Sequence, residues 1–320
     1  MISWPRLRAI LAYVIAAGLI AYAAWWAWQN WDKVRAAFLL SPAHLAALVP
    51  LVVASVLLFG LLNQVMAAHL GAVLRLRQWA TLAFASTLAN YILPLKAGAA
   101  MRAAYLKKNH DLPLSQFASS MAVAYVVTIL ANCLVGAAGL GVIALQEGVM
   151  SWPLLGGLLG MAALCAALLA FSPRASQRRA AGRFWGVLVR IHVGWDLLRH
   201  SPSLLAKSAG LALATSLVYA VRLRIAFAAV GHTVSLPGCL LVGALVALSM
   251  FISITPASLG IREAAILFSS MAIGVTPEVS LLAGTVDRAV AILVVAALGP
   301  PAMTAVSREM ARTPHHRNRP

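Results

Sequence analysis

Two charged doublets stand in apolar surroundings. One is Arg262-Glu263, at the end of the stretch ITPASLGIRE, and the other is Asp287-Arg288, in the stretch TVDRAVAILVVAALG. A charge inside a membrane helix costs about 2.5–3.5 kcal/mol on insertion scales, so one that remains needs a partner, a polar cavity or an interface within reach. Helix neighbours point in different directions, so neither doublet can pair with itself. Asp287 and Arg288 lie about 13 Å into the last apolar segment by helical rise, which leaves an inter-helix salt bridge or a polar cavity as readings. Glu263 needs a partner from elsewhere, and Arg288 is the expected one. Arg222 and Arg224, late in another apolar segment, fit either snorkelling to headgroups or an inward role.

The chemistry these residues suit is the holding of an anion. In ITPASLGIRE, Thr255 can cap a helix and Pro256 can take its first position, which has no use for an N–H donor. Free N–H groups at such a start favour an anion, and Arg262 adds a planar fork suited to phosphate. A second breaker stretch, NYILPLKAGAAMR, carries Asn90, Pro94, Lys96, Gly98 and Arg102. Both stretches read Pro-x-x-x-Gly followed by Arg: Pro94, Gly98 and Arg102 in one, Pro256, Gly260 and Arg262 in the other. Each reads as a discontinuous helix or as a tight turn between helices. Asn63, Gln64 and Asn132 are expected to make inter-helix hydrogen bonds.

The elements that must position these residues are membrane helices. Of 320 residues, 62% are hydrophobic and 10% charged, with mean hydropathy +0.88, whereas soluble domains carry about 25% charged residues. The fold class is all-α, a polytopic membrane helix bundle. Spanning helices are expected at about 9–28, 45–66, 118–144, 152–171, 204–229, 238–255 and 280–306. Two shorter segments lie at about 79–95 and 258–275. The first has basic residues on both sides and reads as re-entrant or half-membrane, with an ordinary short span as the alternative. If the second crosses, about eight spanning helices result, plus at least one re-entrant or broken short helix.

Net charge is +17, concentrated in the short connections. That is an orientation signal, with anionic lipid and not nucleic acid as the partner. It places the N- and C-termini, Arg75, Arg77, Lys96 to Lys108, the loop 172–203 and both breaker stretches at the cytoplasmic face of the inner membrane. Residues 1–307 form one integral membrane domain and 308–320 a basic cytoplasmic tail. The loop 172–203 is either an amphipathic surface helix or a basic connection that fixes topology. Cys133, Cys165 and Cys239 lie in apolar segments without ligand spacing and read as packing residues. The eight acidic residues form no Asp-rich pair, zinc spacing or Walker A loop, so no catalytic residue, metal or cofactor is assigned.

Asn90, Pro94, Gly98 and Arg102, with Pro256, Gly260, Arg262 and Glu263, resemble the two signature stretches of the lysylphosphatidylglycerol synthase transmembrane region, the flippase-like UPF0104 family. The similarity runs from about residue 10 to 305. It implies a multi-pass inner-membrane protein that moves an anionic or modified phospholipid or isoprenoid lipid between leaflets. Asn90, Lys96, Arg102, Arg262, Glu263, Asp287 and Arg288 would form the substrate site, and Pro94, Gly98, Pro256 and Gly260 the helix breaks. Ala99 departs from the family pattern, which places Glu after the first glycine. The aminoacyl-transferring enzymes need a soluble domain beyond the membrane part, and this chain ends at Pro320, so the expectation is a stand-alone member and not an enzyme. The rival reading is a membrane-embedded or accessory subunit of a lipid-modifying enzyme, in a hopanoid or aminoacyl-lipid pathway, with lipid-biosynthesis enzymes as partners.

Overall fold

The computed structural model describes residue 28 and residues 42–93, 96–148, 150–170, 201–252, 258 and 260–312. The expected span at 9–28, the loop 172–203, the end of the tail, Pro94 and Pro256 lie outside the described residues, apart from single residues at their edges. Everything regular among the described residues is helical: α1 (Pro42–His69), α2 (Leu76–Ile92), α3 (Ala97–His110), α4 (Leu114–Glu147), α5 (Trp152–Ala170), α6 (Pro202–Ala229), α7 (Leu236–Ser249), α8 (Ile261–Met271) and α9 (Pro277–Arg312). Away from water, each peptide group needs a partner within its own segment, and helices supply it. Four helices, α1, α4, α6 and α9, are long and apolar enough to cross a membrane, and α5 and α7 are shorter apolar helices.

The chain is built from two copies of one four-helix plan. α1 and α6 are each 28 residues long and each begins with proline. The interval that carries 42 to 202 also carries 69 to 229, the turn glycine Gly71 to Gly231, and the start of α2 at Leu76 to that of α7 at Leu236. Both turns close alike: the Ala72 N–H donates to the Ala67 carbonyl, as that of His232 does to Phe227. A short helix, a break, a second short helix and a long helix follow in each copy.

The copies run in opposite directions. Met66, late in α1, packs with Leu204 and Ala212, early in α6, so these two helices are antiparallel. α4 lies against α7 and α9 against α2. Gly136 and Gly139 on α4 allow the first contact: a Cβ at Gly139 would stand 2.7 Å from the Pro237 carbonyl oxygen. Gln78, in the first turn of α2, bonds Glu309 near the end of α9.

Within each copy the two short helices fold back as a hairpin. A Cβ added to Gly238, in the first turn of α7, would lie 3.0 Å from Ile273, just beyond α8, so both outer ends of α7 and α8 sit together. Their 14 and 11 residues rise only about 21 and 16 Å, against about 30 Å of hydrocarbon. The expected span 238–255 and the short segment 258–275 therefore fold back on one another as a hairpin, and four of the described helices are long and apolar enough to cross. α2 and α3 make the matching hairpin, with Gly98 seated where any side chain would collide with the Ser86 carbonyl. Arg262 and Glu263 pair with residues about 15 Å along α9 from its start by helical rise.

A cavity between two hairpin tips

α3 starts at Lys96, which adopts a left-handed conformation with φ of 55°. The second N–H of that helix, at Gly98, donates to Asn90 Oδ1 at 2.8 Å. Asn90 thus closes the break by capping α3 from the end of α2. α8 starts at Gly260, with φ of 82°, a region open to glycine because it lacks a Cβ. Its N–H donates to Glu263 Oε2 at 2.8 Å. At each helix start one N–H expected to be open to an anion is already held by a side chain of the protein.

Asp287 is fully buried and held by two arginines. Arg222 reaches it through Nε to Oδ1 at 3.1 Å and Nη2 to Oδ2 at 3.0 Å, and Arg262 Nη2 bonds Oδ2 from the first turn of α8. Arg262 also donates to the Tyr219 hydroxyl from Nε at 3.2 Å and Nη2 at 3.1 Å. Arg222 Nη1 donates to Ser55 Oγ at 3.2 Å. Glu263 Oε1 pairs with Arg288, so each half of both charged doublets finds its partner on another helix. One donor on Oδ1 and two on Oδ2 offset the cost of burying the carboxylate.

The first hairpin is cationic without a carboxylate. Arg102 is 4% exposed, its guanidinium carbon stands 4.9 Å from the centroid of the Phe59 ring, and its Nε and Nη1 have no hydrogen-bond partner. Lys96 Nζ sits 4.7 Å from the Tyr125 ring centroid and 5.3 Å from that of Phe251. Phe251 belongs to the second break and Lys96 to the first, so the two hairpin tips meet.

Between them lies a cavity of about 340 Å³. Asn90, Lys96, Arg102, Arg262 and Arg288 line it, together with Arg222, Tyr219, Tyr125 and apolar residues such as Val52, Val56 and Val295. Glu263 and Asp287 stand behind the wall, bonded to the arginines that form it. Gly98, expected in the break, is the second residue of α3, and Gly260 is the residue from which α8 starts. Arg222, Tyr219, Tyr125 and Phe59 were not singled out as site residues from the sequence. One signal for Arg222 existed: residues two apart on a helix face different directions, so Arg222 and Arg224 cannot share one role, and here Arg222 is buried while Arg224 is exposed. Asn132 accepts from Ser216 Oγ on α6 at 3.0 Å, as an inter-helix bond requires. Asn63 instead donates back to the Phe59 carbonyl of its own helix, and Gln64 reaches the Leu74 carbonyl just beyond it.

The family described as lysylphosphatidylglycerol synthase TM region matches residues 10–299. No curated protein and no solved structure matches the chain.

Proposed function

The chain belongs to the lysylphosphatidylglycerol synthase TM region family, and from that premise we propose that it is a flippase-like lipid translocase of the inner membrane. The observation that carries this reading is the single cavity where the tips of two oppositely directed hairpins meet, lined by buried cations and apolar walls. Inverted repeats with broken helices at a shared central site are the plan by which secondary transporters alternate access. An anionic headgroup enters between the tips while its chains stay against apolar helix faces, and rocking of one repeat against the other exposes it to the opposite leaflet.

The charges support an orientation. Arg75, Arg77, Lys107, Lys108, Arg308 and Arg312 gather at the end where α1 and α9 finish, and that end is cytoplasmic by the positive-inside rule. No Asp, Glu, His or Cys lines the cavity among the described residues. That supports transport over acid–base or metal-assisted group transfer, for which a lining carboxylate or imidazole would serve.

The test is leaflet exchange of a fluorescent phosphatidylglycerol in liposomes holding the purified protein, read by quenching from outside. Exchange well above that of protein-free liposomes is expected, and slower exchange with Lys96→Gln. Exchange no faster than in protein-free liposomes overturns the reading.

A further inference from the structure

The two halves of the cavity differ in charge. Five cations line it, Lys96, Arg102, Arg222, Arg262 and Arg288, and two carboxylates reach them: Asp287 bonds Arg222 and Arg262, and Glu263 bonds Arg288. Among the described residues three positive charges are left over, and the excess lies toward the first hairpin. The interval that relates α1 to α6 carries Phe59 to Tyr219. Tyr219 offers its hydroxyl to Arg262, whereas Phe59 offers Arg102 only a ring face. α9 brings Asp287 to Arg262, whereas α4 carries no acidic residue before Glu147, its last. Arg102 therefore stands buried in the cavity wall with two guanidinium nitrogens unpartnered. Burial without a counter-ion leaves that charge uncompensated.

We propose that this cavity takes a lipid phosphate carrying two or more negative charges, a phosphomonoester or pyrophosphate, seated on Arg102 and Lys96. The assignment rests on the translocase reading and names its substrate class. A phosphodiester brings one negative charge and leaves most of the excess uncancelled. A phosphomonoester brings about −1.5 to −2 at pH 7 and presents the oxygens that a guanidinium fork grips in pairs. A lysylated phosphodiester, with its two ammonium groups, adds to the excess and is excluded by the same count. Lys96, at the tip of the first hairpin and beside Phe251 of the second, supplies the compact charge that a bound phosphate would draw between the tips.

The test is equilibrium binding to the purified full chain in detergent, read by native mass spectrometry. The probes are dioleoyl phosphatidic acid, dioleoyl phosphatidylglycerol, lysyl-phosphatidylglycerol and sodium pyrophosphate. Phosphatidic acid is expected to bind about tenfold or more tighter than phosphatidylglycerol, as charge-assisted pairing with a second negative charge implies, and lysyl-phosphatidylglycerol weakest. Arg102→Gln should abolish that preference. Ala99 lines the cavity three residues before Arg102, on the same helix face. Ala99→Glu therefore supplies an internal counter-ion while leaving Arg102 in place, and should lose phosphatidic acid far more than Ala99→Gln does. Equal binding of the two lipids, or an undiminished preference in folded Arg102→Gln or Ala99→Glu, overturns the proposal. Pyrophosphate binding tighter than phosphatidic acid overturns the assignment to a lipid. Leaflet exchange without a phosphatidic acid preference sinks the charge rule alone, whereas the preference without any exchange sinks translocation alone.

Discussion

Arg222 holds Asp287 through two parallel hydrogen bonds, 3.1 and 3.0 Å long, across the packed faces of α6 and α9. The same carboxylate is shared with Arg262 at the start of α8. A single acid thereby ties a long helix of the second repeat to the tip of its hairpin.

Replacing that acid should be severe. Asp287→Asn keeps the shape but leaves two guanidinium groups side by side in a buried site, and loss of one member of a buried charge cluster costs about 3–5 kcal/mol. Thermal unfolding in detergent should show a large fall in Tm. A wild-type melting curve would mean that the arginines reach solvent or another acid.

The Glu263–Arg288 pair does a different job, because Glu263 also holds the Gly260 N–H. In a double-mutant cycle of Glu263→Gln and Arg288→Gln the losses should not add, with a coupling of about 0.5–3 kcal/mol. Additive losses would show that each side chain acts with other partners.

Gly98→Ala should destabilise the first hairpin by about 1–3 kcal/mol, because the added methyl meets the Ser86 carbonyl and Asn90 Oδ1 in a close-packed site. Gly141→Ala on α4 meets nothing within 4 Å and should gain about 0.5–1 kcal/mol through helix propensity. Comparing the two melting curves checks the packing of the break, and equal effects would contradict it.

The hairpin also predicts accessibility. Cysteines at His232 and Thr276 should react with a membrane-impermeant maleimide from one face, and cysteines at Arg75 and Lys108 from the other. Ser258→Cys, at a position only 3% exposed, should resist the reagent. Rapid labelling of Ser258→Cys from the face of Arg75 would restore a break at the cytoplasmic surface.

Much of this could be read from residue types. Apolar length shows the long helices, Pro and Gly show that two segments break, and buried charge shows that Asp287, Arg288, Arg262 and Glu263 need distant partners. What the sequence conceals is direction. A Pro-Gly break serves a surface turn and an internal fold-back equally well, and the apolar run from 238 to 255 is long enough for a crossing although its regular helix stops at Ser249. The repeat is hidden for a related reason. Its two copies share an interval and a turn glycine, while lipid-facing positions accept any apolar residue. Arg222 escaped because a charge one to two turns from a helix end has the same depth whether it turns outward to headgroups or inward to an acid.

α5 packs against α4 and runs back along it: Leu158 lies by Gly136, and Cys165 by Val126. It belongs to neither copy of the four-helix plan, and its role is one of parity. Each copy crosses twice with its long helices, because a hairpin crosses nothing, and so returns the chain to the side from which it set out. A tandem duplicate of such a unit would insert facing the same way as the first. α5, running back along α4, carries the chain toward the opposite end of the bundle before the second copy begins, and the inverted symmetry of the cavity depends on that odd helix.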